Sequence, residues 1–99
     1  MTLKDTIIGA LRLGPSSANA LSEEISRNII TAQAEMIRLG VSDELAKSTH
    51  PLIEDAIVTF VMMKMGDVKR YEQYQNGWEY QVDCIRKSKL VPPGGGGNV

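Results

Sequence analysis

A single cysteine and a single histidine among 99 residues leave little material for thiol or imidazole chemistry. Cys84 has no second cysteine with which to form an intramolecular disulfide, and no CxxC or neighbouring histidine from which a zinc site is built. That usage is expected of a chain made in a reducing, intracellular compartment. His50 stands directly before Pro51, at a helix entrance, where a turn or capping role outweighs a catalytic one. An excess of charge of one sign is also missing. Eleven Lys and Arg oppose twelve Asp and Glu, a net charge of -1, which argues against attachment to nucleic acid or membrane by bulk charge. No phosphate loop, zinc spacing or calcium loop occurs, and GGGG near the C-terminus is preceded by no strand and followed by no helix. The N-terminal MTLKDTIIGALRLG lacks the basic start and long apolar run of a secretory leader, so export by that route is not expected. Alternating runs with hairpin turns are absent, which leaves helix as the organising element.

The stretch PLIEDAIVTFVMMKMG, Pro51 to Gly66, is apolar most of the way round at helical spacing, as in a core helix. It is shorter than the roughly 20 residues that cross a bilayer, and Glu54, Asp55 and Lys64 interrupt it. Pro51 suits the first helical position, and Gly66 is expected to stop the helix in the left-handed region. Before it, Leu3 to Leu13 predicts a short amphipathic helix ended by Gly14 and Pro15. Ser16, Ser17 and Asn19 predict a polar turn, and a long helix then runs to about Leu39 with Gly40 and Val41 closing it. Its core stripe is Leu21, Ile25, Ile29, Ala32, Met36 and Leu39, and a second row, Ile30, Ala34 and Ile37, runs beside it. Stripes this wide serve two neighbours, either both within the fold or one of them a partner. Ser42 to Ser48 predicts a single capped turn.

After Gly66, Asp67 is expected to cap a last helix reaching about Ser88, with Val68, Tyr71, Tyr74, Trp78, Val82 and Ile85 on one side and Asn76-Gly77 marking a kink or break. The expected core therefore includes Leu21, Ile25, Ile29, Met36, Ile53, Ile57, Phe60, Tyr71, Trp78 and Val82. The sequence reads as an all-α bundle of four main helices over residues 1–89, with a flexible, extended Pro/Gly-rich tail over 90–99.

Catalytic readings find little support. Glu23 with Glu24 and Glu54 with Asp55 fall in first helical turns, where acidic residues complement the dipole. Cys84 is expected to be semi-buried, without the cationic surroundings that activate a thiol. Met62, Met63 and Met65 suit core filling, or an adaptable groove for a partner helix. Arg86, Lys87 and Lys89 form a small basic cluster where the last helix ends, a placement that complements the helix terminus. A helix-turn-helix reading is weak, because Pro51 to Gly66 carries only Lys64 for recognition. Neither a cofactor nor a metal is expected, and an enzyme is the least favoured class.

The order LSEEISRNIITAQAEMIRLGV, HPLIEDAIVTFVMMKMG and DVKRYEQYQNGWEYQVDCIRKS, Leu21 to Ser88, resembles the small helical head-tail connector proteins of tailed phages, also called adaptor or head-completion proteins. His50 departs from the acidic residue common before the proline, and Gly77 departs within the last helix. The resemblance implies a non-enzymatic virion protein at the neck, assembled in the host cytoplasm. Such a protein forms a ring, usually a dodecamer of itself, under the portal protein. It also meets a downstream stopper or tail protein and lets double-stranded DNA pass without sequence-specific binding; no membrane is involved. On that reading Lys89, Leu90, Val91, Pro92, Pro93, Asn98 and Val99 are the candidates for gripping the portal, and Ile30, Ala34 and Ile37 for contact between subunits. The channel surface is then expected to be acidic or mixed, so that DNA slides past.

Overall fold

The structure, a computed structural model, describes residues 2–93. Among these residues six α-helices follow one another: α1 Leu3–Ala10, α2 Pro15–Ala20, α3 Ser22–Arg38, α4 Asp43–Ala46, α5 Pro51–Met65 and α6 Tyr71–Lys87, with a 3-10 turn, Val68–Arg70, leading into the last. There are no strands among the described residues. The four longer helices α1, α3, α5 and α6 make the bundle, and α2 and α4 are short pieces that complete its ends.

Helix α5 is the shared element, against which α1, α3 and α6 all pack. Its buried side chains, Ile53, Ala56, Ile57, Phe60 and Val61, recur at steps of three and one, the spacing of one continuous helical face. Val58, Met62, Met63 and Met65 on its flanks are half-buried, which is what the nearly all-round apolar sequence requires. Opposite it lie Ile7 of α1, Ile25, Ala32 and Met36 of α3, and Trp78, Val82 and Ile85 of α6. Leu21 and Ile29 pack half-buried on the edge of this core. The Phe60 and Trp78 rings meet with centroids 4.8 Å apart and planes tilted by 58°, an arrangement that suits aromatic quadrupoles.

Local signals explain the ends. Thr2 Oγ1 accepts the Asp5 N–H at 3.1 Å while the Thr2 N–H donates to the Asp5 carboxylate at 3.2 Å, a reciprocal cap that holds the Asp5 carboxyl below its ordinary pKa. Ser42 caps the single turn α4 as expected, and Leu45 and Ala46 on that turn are buried. Helix α3 ends in a Schellman motif. Gly40 lies at φ 111°, its N–H donates to the Ile37 carbonyl, and the Val41 N–H donates to the Met36 carbonyl. The same pair of bonds closes α1, from Arg12 to Gly9 and from Leu13 to Ile8, but here the left-handed residue is Arg12, at φ 57°. An L-residue with a side chain pays about 1–2 kcal/mol for that conformation.

Four expectations are corrected. The polar turn at Ser16, Ser17 and Asn19 is helical, because Pro15 occupies the first position of α2 and presets its φ; α2 and α3 then meet at Leu21, which is non-helical at ψ 6°. Gly66 is extended, at φ -88° and ψ -161°, and not left-handed. Helix α6 runs without interruption through Asn76 and Gly77, since the Trp78 anchor against α5 outweighs a glycine cost of about 1 kcal/mol. Tyr71 is not a core residue. It is 45% exposed and Val68 is 85% exposed, because the start of α6 follows a 3-10 turn and none of the other described residues closes over it.

Candidate interaction surfaces

The residues singled out for subunit contact divide between the outside and the core. Ile30 is 65% exposed and Ala34, one turn along α3, is exposed beside it. Ile37 instead joins the partly buried side chains packed on the core, near the end of α3 against which α4 folds. What faces outward is thus a two-residue apolar strip on the longest expected helix, with Thr31 exposed next to it.

At the C-terminal end of α6, Asp83 forms ion pairs with Arg86 and, at 2.9 Å, with Lys87. Lys87 and then Arg86 hold the Asp83 carboxyl below its usual range. Two of the three cations of the basic cluster thus share one carboxylate, which leaves the helix end net positive, and Lys89 alone of the three has no such partner among the described residues. Ser88 leaves helical geometry at ψ 167°, after which Leu90 turns back onto the core while Val91 is 55% exposed. Lys89 and Pro93 are exposed and Pro92 is half-buried. Asn98 and Val99, also singled out for the portal, lie outside the described residues.

A third surface was not anticipated from the sequence. Leu52 at the start of α5 and Tyr80 and Cys84 on α6 are all exposed, and with Gln81 they line a shallow hollow of about 150 Å³. The Gln81 Oε1 is covered there and accepts no hydrogen bond. Cys84, expected to be semi-buried, is in fact exposed, because it sits one turn after Tyr80 and off the Trp78–Val82–Ile85 seam. The available signal was that i, i+4 pair flanking the seam.

The methionines do not form one groove. Met63 faces a cleft of about 520 Å³ with Tyr71 and the Glu35–Arg38 ion pair, whose 2.8 Å contact keeps the Glu35 carboxyl low. Lys64 lies 5.3 Å from the Phe60 ring centroid at the same place. Met62 and Met65 face a different cleft, of about 560 Å³, between α1 and the turn into α6. His50 is a capping residue: its Nδ1 accepts the Leu52 N–H at 3.1 Å. Glu23 and Glu24 sit in the first turn of α3, and Glu54 in that of α5. Among the described residues no group of three His, Cys, Asp or Glu side chains is placed to hold a metal, and no helix is long and apolar enough to cross a membrane.

No family model matches the chain, and neither a curated protein nor a solved structure matches it.

Proposed function

We propose that the protein is a non-enzymatic structural subunit of a tailed-phage head-tail junction, which joins copies of itself in a ring on the portal and is held there in part by the segment after α6. The observation offered for the self-association is the exposed Ile30–Ala34 strip on α3, a small apolar surface that a neighbouring copy would cover. The identity of the assembly rests on the resemblance of Leu21 to Ser88 to head-tail connectors. Support for the attachment comes from the chain's exit at Ser88, where Lys89, Val91 and Pro93 present outward. The split of the methionines between two clefts makes a single partner-helix groove the weaker reading. DNA would be a passing cargo, since α5 exposes Lys64 as its only cation.

The test is cosedimentation of the purified protein with portal rings, comparing the full chain with one ending at Leu90. The full chain is expected to pellet with the rings and the shortened chain to bind at least about tenfold more weakly. Equal binding by both would remove the tail from the account, and no binding by either would remove the connector function.

A further inference from the structure

The cleft between α1 and the turn into α6 gathers residues that the proposed function does not use. Five arginines are present, and Arg38 and Arg86 are each paired with a carboxylate on their own helix. Arg12, Arg27 and Arg70 have no carboxylate within ion-pair distance among the described residues. Arg27 stands alone on the outside of α3, whereas Arg12 and Arg70 line the same cleft of about 560 Å³. Its one acidic group, Asp67, already accepts the Lys69 N–H at 2.9 Å as a cap. Leu11, Met62 and Met65 supply an apolar wall, and Tyr74 stands on the α6 side.

The backbone makes the same point from another direction. Arg12 occupies the left-handed position of a Schellman turn, where glycine is free of strain and where Gly40 does the equivalent work at the end of α3. The backbone strain at Arg12, in a cleft that Arg70 also lines, is accounted for if the guanidinium is used.

We infer that this cleft binds an acidic segment of a protein partner, Arg12 and Arg70 taking its carboxylates while an apolar side chain between them rests on Met62 and Met65. Guanidinium forks match carboxylates in pairs, and thioethers adapt to an apolar side chain of variable shape. The apolar wall of Leu11, Met62 and Met65 suits a peptide with an apolar side chain better than a continuous phosphate backbone, whose affinity comes from clustered cations alone.

The probe is a blocked hexapeptide of alternating leucine and glutamate, titrated into the full chain carrying 13C-methyl methionine. A glutamine version of the peptide, inorganic phosphate and a short oligothymidine serve as comparisons. Binding is expected to move the Met62 and Met65 methyl signals and leave buried Met36 in place. Arg70→Gln and Arg12→Gly are each expected to weaken it at least about tenfold, the second while raising Tm by a few degrees, because glycine relieves the left-handed strain. No methyl shift at millimolar peptide, equal shifts from the glutamine version, or an affinity in Arg12→Gly or Arg70→Gln unchanged from that of the unaltered chain would each overturn the proposal. Preference for phosphate or oligothymidine over the peptide would also overturn it, pointing instead to an oxyanion or nucleic-acid site.

Discussion

Trp78→Ala is expected to lower the stability of the folded chain by about 3–5 kcal/mol, the range for removing a large aromatic side chain from a packed core. Trp78 is 6% exposed and its ring meets Phe60 at the centre of the α5–α6 contact, so its loss leaves a void that two helices must collapse to fill. A domain of this size has roughly 5–15 kcal/mol of stability in total, so the substitution consumes a large part of it. Urea unfolding followed by circular dichroism measures the change. A loss below about 1 kcal/mol would mean that the α5–α6 joint is not the principal wall of the core.

The second large effect is expected at Gly66, for a reason that lies outside the usual argument about glycine. Its φ of -88° is available to any residue, but a Cβ there would stand 2.5 Å from the Met62 carbonyl oxygen. That oxygen already accepts the Gly66 N–H at 2.7 Å, so relief requires breaking the bond that ends α5. Gly66→Ala is therefore expected to cost about 2 kcal/mol or more, read as a lower urea midpoint at unchanged slope. A neutral substitution would show that the chain leaves α5 by a different turn. Gly77 makes the contrast: a Cβ there would meet Thr59 Cγ2 at 3.7 Å, an ordinary contact, and space does not demand glycine.

Much of the architecture was legible because its signals are local and agree with one another. Pro51 at the first position of α5, the five-residue buried face from Ile53 to Val61, the Ser42 cap and the Gly40–Val41 closure each follow from residue type and spacing. Apart from the local backbone at Pro15 and Gly66, the misreadings share a cause: each depended on what another element covers. Tyr71 fits the seam periodicity, but it follows a 3-10 turn and no other described residue closes over it, which leaves it 45% exposed. Ile37 belongs to the same row as Ile30 by spacing, and only the packing around the end of α3 separates them. The alternative of one methionine groove rested on the closeness of Met62, Met63 and Met65 in sequence, whereas a helix turns about 100° per residue and distributes them between two clefts, with Met63 and Met65 packed against the core. The Arg12–Arg70 cleft was hidden for a related reason. Its two cations are far apart in the chain, and the left-handed turn that presents Arg12 carries no glycine to announce it.

The interface reading of the molecule is tested most directly by counting copies bound per portal ring with native mass spectrometry, for the unaltered chain and for Ile30→Glu. Ile30 is exposed, so its replacement is expected to change folding stability by no more than about 0.5 kcal/mol, while a charge on an apolar contact would oppose association between neighbours. The proposed connector function predicts a full ring, about twelve copies, for the unaltered protein, and incomplete occupancy for Ile30→Glu. A single copy per portal, none, or a full ring with both chains would contradict it.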